Sequence, residues 1–374
     1  MRRVLQPCLI AALIAAIFHI AHSEEKPIPL FNGADLSGWT AMGTAGAFEV
    51  KNNAIYSNGK IPYPSWLRSD KQYENFILRF EYKTEGWYEG GVFIHAPELG
   101  PLSKLGFKLH LRHDQKAYAM RSPGAIYDAA APLAIANLPS GQWNQCEIEC
   151  NWPALKVRLN NTLIHDIDMS KENAFKHRLQ KGYVGIQNLG CGAYFRNINI
   201  QLLPDRETWT ELFEGSLDDF HLVSKTKWEL KDKILTGKRH DGFAYTKQSF
   251  SSPFEFQVWA KTQVNGNGGL HFHWNDDNHG IEIQCFNAPD STNPTGSLYN
   301  IASAQSIESK DEEWFLIQLF TKKSKAVVFV NGELVCETDN LPPPYEGPVG
   351  FQQHTEGAVI HYKNARIKPA DWFD

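Results

Sequence analysis

Gly268-Gly269-Leu270-His271-Phe272-His273 and, seven residues on, Ile281-Glu282-Ile283-Gln284 decide the fold. Between them runs Trp274-Asn275-Asp276-Asp277-Asn278-His279-Gly280. Apolar and polar residues alternate with period two at both ends, which predicts two strands each buried on one face. The Asn, Asp and Gly of the middle predict a turn. Leu270, Phe272, Ile281 and Ile283 are expected to face a core. His271, His273, Glu282 and Gln284 then share the opposite face, which makes that face the candidate site.

The pattern has an earlier counterpart. Gly90-Gly91-Val92-Phe93-Ile94-His95 is followed by a loop and then by Gly106-Phe107-Lys108-Leu109-His110. His95 aligns with His273, Lys108 with Glu282, and His110 with Gln284. The match extends outward in both directions. Leu30-Phe31-Asn32-Gly33 opens one copy and Leu212-Phe213-Glu214-Gly215 the other. Gly124-Ala125-Ile126-Tyr127 matches Gly296-Ser297-Leu298-Tyr299, and Gly185-Ile186-Gln187 matches Gly350-Phe351-Gln352. The chain is therefore two copies of one unit, the second shorter by roughly fifteen loop residues, which surface connections tolerate.

Each copy is a series of short alternating strands with turns between them. Phe76, Leu78, Phe80 and Tyr82 share one face, as do Phe254, Phe256 and Val258. Lys51-Asn52-Asn53, Lys231-Asp232-Lys233 and Asn331-Gly332 read as tight hairpin turns. Only the stretch around Met169 to Leu179 looks helical. Many short strands and few helices predict an all-β chain of two tandem jelly-roll β-sandwich domains, residues 24–203 and 208–374, with 204–207 as the joint.

The 374 residues suffice for two cores. Charged residues make up 21% and the formal net charge is −5. No basic cluster points to nucleic acid. Residues 1–23 read as a secretory signal peptide: Arg2 and Arg3, an apolar run from Cys8 to Ile20, and Ala21-His22-Ser23 at a cleavage site. That run is shorter than the ~20 residues of a spanning helix. The expectation is a secreted or periplasmic protein with no membrane partner once the signal is removed. Cys146, Cys150, Cys191, Cys285 and Cys336 remain. Cys146 and Cys150 lie too far apart along one strand to bridge each other. Cys150 with Cys191, or buried free thiols throughout, are the open readings.

In their shared order, these segments resemble the 3-keto-disaccharide hydrolase domain family, a bacterial group with a concanavalin A-like β-sandwich. The carrying features are the opening Leu30 to Trp39, the Gly-Gly strand and the Glu282-x-Gln284 pair. The Gly-x-x-Tyr turns ending at Tyr127 and Tyr299 and the late Gly-x-Gln run complete the set. The resemblance implies action on glycosides already oxidised at C3 of the sugar. A C3 ketone acidifies the C2 hydrogen, so a base can remove it and the enolate can expel the C1 substituent. Water adding back gives net hydrolysis. Such chemistry needs a base near neutral pKa, an acid for the leaving oxygen and an electrophile for the enolate, rather than the carboxylate pair of ordinary glycosidases.

On this reading Glu282, His354 and His273 are the candidate acid–base groups. Gln284, Gln352 and Tyr299 would hydrogen-bond sugar hydroxyls, and Trp274 would stack on a sugar face. His271 and His273, two residues apart on one strand, could chelate a divalent metal with Glu282 or His354, or could be cavity histidines bonded to neighbours. In the first copy His95, Lys108, His110 and Tyr127 are the corresponding ligand-binding candidates. Lys108 and His110 read equally as a solvated sheet face. The competing function is a secreted carbohydrate-binding or adhesion module without turnover, because the fold serves both.

Overall fold

The structure is a computed structural model that describes residues 26–61, 65–206, 209–224, 226–274 and 280–370. The expected signal peptide, most of the polar turn after Trp274 and part of the joint at 204–207 lie outside the described residues.

Left-handed backbone places the turns. Asn52 and Asn53, Asn160 and Asn161, Asp232 and Lys233, and Asn331 and Gly332 all have positive φ. Such paired residues fit the right-handed twist of a two-residue hairpin, and Asn, Asp and Gly adopt this conformation at least cost. Between the turns the strands alternate as expected. Phe76, Leu78, Phe80 and Tyr82 are buried in the first core, and Phe254, Phe256, Val258, Leu270, Phe272, Ile281 and Ile283 in the second.

Each half is a sandwich of one eight-stranded and one five-stranded antiparallel sheet. In the second half the five-stranded sheet runs in the order Phe220–Ser224, Gly242–Ser251, Glu346–Gln353, Gly268–Phe272, Ile281–Cys285. In the first, the order is Trp39–Met42, Ser65–Tyr73, Gly182–Asn188, Glu89–Ala96, Phe107–Arg112. Chain order is thus the same in both, the pairing of a duplicated jelly roll.

Two sequence readings change. Met169 to Leu179 forms turns rather than a helix. Phe175 plugs the core against Phe107, with ring centroids 5.7 Å apart, and the Arg178 guanidinium donates to the carbonyls of Ser103 and Gly106. All five cysteines are free and buried, so Cys150 and Cys191 are not bridged.

The halves meet on the outer face of the second eight-stranded sheet. Trp259 and Leu316 of that sheet are buried against Leu105 and Leu179 of the first half. The ring of His177 packs on Phe320 and Phe329. Gln318 donates to the His177 carbonyl, and Lys368 to the Gln180 side chain. The equivalent face of the first half carries ion pairs instead, Arg79 with Glu147 and Arg196 with Glu81.

Candidate functional site

Strand register brings the site together on the outer face of the second five-stranded sheet. One row across the strands reads Phe243, Gln352, Gly269, Gln284. The next reads Tyr245, Gly350, His271, Glu282. Side chains in a row of directly paired residues project to the same side. The face therefore collects a carboxyl, an imidazole, a phenol and two amides, with a glycine inside each row.

Those glycines make room. A Cβ on Gly269 would lie 2.5 Å from Oε1 and 2.8 Å from Cγ of Glu282, so the Glu282 side chain leans across that residue. A Cβ on Gly350 would meet the Tyr245 ring at 2.4 Å. Trp274 closes one end of the face. Its ring lies 3.9 Å from that of Tyr245, 5.5 Å from Phe243 and 5.4 Å from His271. The result is an aromatic wall beside the carboxyl and the amides.

Several of these groups are poorly satisfied among the described residues. The Tyr245 hydroxyl is buried there without a hydrogen-bond partner, and the ring nitrogens of His271 have only the nearby Gln352 side chain. Unsatisfied buried polar atoms of this kind cost free energy unless a ligand completes them. Burial raises the Glu282 carboxyl to about 7, with the nearby charge of Asp241 adding to the shift. The same burial lowers His271 to about 3, with Gln352 pulling the other way, and pushes the Tyr245 phenol well up. At neutral pH Glu282 thus exchanges a proton readily, while His271 is an uncharged donor and acceptor.

His354 stands at the rim. Its backbone N–H donates to the Asn267 carbonyl, and Nδ1 lies 3.5 Å from Asp241 Oδ1. Gln284 donates to Asn267 Oδ1 at 2.5 Å, which fixes the amide. Tyr299 donates its N–H to the Glu282 carbonyl, but its side chain is exposed.

His273 is the principal correction. It has φ 52° and is 1% exposed. The left-handed residue ends the period-two alternation, so the imidazole turns to the other side of the sheet and packs on Phe254, Phe272 and Tyr345. It therefore shares no face with His271 or Glu282, and the two histidines do not form a chelating pair. Among the described residues, no group of three His, Cys, Asp or Glu side chains could hold a metal ion. His95 repeats the geometry in the first half. It has φ 50°, its ring packs on Phe76 and Phe107, and Nε2–H donates to the Glu74 carbonyl at 2.7 Å. His95 is a core residue and not a ligand-facing one.

The first half's face has the same layout with different chemistry. Phe93 pairs with Lys108, and Gly91 with His110. Arg68 pairs with Gly185, and Trp66 with Gln187. Lys108 and His110 are buried rather than solvated. The Lys108 amine sits 3.5 Å above the Tyr127 ring.

Asp241, Phe243 and Tyr245 escaped the sequence reading. Their signal was available: Gly242 to Tyr245 alternates with period two and stands where Ser65 to Arg68 stands in the first copy. A cavity of about 660 Å3 between the halves, lined by Lys176, His177 and Phe329, is remote from all these groups.

Two tandem jelly-roll sandwiches, the second presenting a near-neutral carboxyl beside amides and aromatic rings, define a carbohydrate-active protein. The chain belongs to the 3-keto-alpha-glucoside-1,2-lyase-like domain family, whose profile matches residues 26–201 and 208–368. No curated protein sequence matches it. Among solved structures it is similar to a candidate glycosyl hydrolase of Parabacteroides distasonis, at 20% identity and a TM-score of 0.43, over 48% of this chain and 94% of that one. It is also similar to a carbohydrate-binding module of Bacillus subtilis, at 13% identity and a TM-score of 0.34, over 40% and 95%. A β-glucanase of Bacillus licheniformis matches at 8% identity and a TM-score of 0.34, over 45% and 100%.

Proposed function

We propose that the second half cleaves 3-keto-glycosides by removing the C2 proton and eliminating the C1 substituent. The observation that carries this reading is Glu282. Burial brings its carboxyl to about 7, and it leans over Gly269 beside the Tyr245 hydroxyl, which has no partner among the described residues. Glu282 takes the C2 proton. The Tyr245 hydroxyl, with His271 beside it, donates to the enolate oxygen at C3, where preorganised donors act most strongly. His354, paired with Asp241, gives a proton to the leaving oxygen. Gln352 and Gln284 hold hydroxyls, and Trp274 stacks on the ring. With the signal at residues 1–23, the protein works outside the cytoplasm, in the periplasm or secreted.

The test is release of sugar from 3-keto-trehalose or 3-keto-lactose, with and without a chelator, by wild type, Glu282→Gln and His354→Ala. Release by wild type and loss in Glu282→Gln is the expected result. Undiminished release by Glu282→Gln removes the site assignment. The aromatic wall of Phe243, Tyr245 and Trp274 also suits a binding module without turnover. Glycan binding with no release from any keto-sugar would establish that second reading.

A further inference from the structure

The two faces deliver different groups to one place. Glu282 leans across Gly269 toward Gln352, and Lys108 leans across Gly91 toward Gln187. A Cβ on Gly91 would lie 2.6 Å from Lys108 Cγ and 2.9 Å from Cδ. The Lys108 amine reaches 3.5 Å from Gln187 Oε1, and Gln187 is the counterpart of Gln352. Where the second half has a carboxyl, the first has a primary amine carried from the corresponding strand position.

The surroundings of that amine are built and not incidental. Lys108 is 5% exposed and His110 is fully buried. Both contact the Tyr127 ring, the amine at 3.5 Å and the imidazole at 5.0 Å. His110 Nε2 lies 3.4 Å from Glu89 Oε1, and the Gly90 backbone also reaches the ring. The Tyr127 ring that covers the amine is itself partly exposed.

We propose that Lys108 captures the ring ketone of a keto-sugar as an imine, which makes the first half a carbonyl-binding site. The proposal rests on the ketone substrate class argued in the preceding section. The unprotonated amine attacks C3, a C–N bond forms, and the carbonyl π pair moves to oxygen. The amine proton passes to that oxygen through His110 and Glu89, giving a carbinolamine. The remaining N–H proton is passed to the hydroxyl, which leaves as water while the nitrogen pair forms C=N. Amine and ketone give imine and water, and no redox partner is needed. Burial lowers Lys108 to about 8, so its free amine is abundant at mildly alkaline pH.

The experiment is reductive trapping. Full-length protein is incubated with 3-keto-trehalose or trehalose and cyanoborohydride, then mapped by peptide mass spectrometry. A sugar adduct on Lys108 is expected with the keto-sugar alone, about tenfold above that on exposed Lys171, because the Lys171 amine remains protonated. Trapping should rise with pH through about 8 and increase in Tyr127→Ala. Adducts spread over exposed lysines, with none enriched at Lys108, overturn the proposal. The same experiment in Glu282→Gln separates the two readings. An adduct there without turnover by wild type refutes only the lyase assignment. Turnover without an adduct refutes only the imine.

Discussion

Glu282 occupies the space that a side chain on Gly269 would need, with its Oε1 2.5 Å from where that Cβ would sit. The obstacle is the end of a flexible side chain, so Gly269→Ala should fold and displace the carboxyl. We expect kcat/KM to fall by about ten- to a hundredfold, as misplacement of a reacting group does, with little change in Tm. Gly268→Ala is the contrast. Its Cβ would meet the Gln352 carbonyl at 2.4 Å, a backbone atom that cannot swing aside. That variant should lose about 2 kcal/mol of stability in urea titrations, the scale of overpacking.

The titration of Glu282 has two readouts. As the base, it works ionised, so kcat/KM should rise with pH through about 7. Its folded pKa lies above the unfolded value, so the folded state holds the proton more tightly. Wild type therefore loses stability as pH rises from about 4.5 through 7, by up to about 3 kcal/mol. Glu282→Gln should match wild type at pH 4 and exceed it at pH 8, measured as urea midpoints.

Tyr245 separates chemistry from packing. Its hydroxyl is buried with no partner among the described residues, so Tyr245→Phe removes no hydrogen bond to them. Stability should hold or rise slightly in thermal denaturation, while kcat falls about a hundredfold, the usual effect of deleting an oxyanion donor. An unchanged kcat would take Tyr245 out of the mechanism.

His95 and His273, with the still more depressed His271, weaken the fold in acid. Burial holds His95 and His273 at about 4. The unfolded chain takes up these protons below about 6.5 while the folded chain resists them. Stability is therefore complete above that pH and drains away as it falls toward 4, by up to about 3 kcal/mol per imidazole. His273→Asn keeps a residue that tolerates left-handed backbone and removes the titration. Between pH 7 and 4.5 it should lose less stability than wild type, whatever its cost at neutral pH.

The repeat, the strands and the turns were legible because they rest on local rules. Period-two alternation placed Leu270 and Ile283 inward and His271, Glu282 and Gln284 outward, and Asn331-Gly332 marked its hairpin. Parity failed one residue later, at His273 and His95, where positive φ reverses the side chain. A residue type that adopts left-handed backbone only occasionally gives no warning of it. The burial of Lys108 and His110 was also hidden, because it depends on Tyr127 and Glu89 arriving from elsewhere. Tyr245 and Asp241 join the site through strand pairing across a hundred residues of chain, which no local pattern records. The meeting of the halves was written in Trp259, Leu316 and Phe320, which occupy positions where the first copy's outer sheet face has Glu81, Gln145 and Glu149.

That apolar strip turns the duplication into a ratchet. Because Leu105 and Leu179 roof it, excising the N-terminal unit would lay bare Trp259 and Leu316. The second sandwich thus relies on the first for the cover of its outer sheet, whatever the first does with its own face.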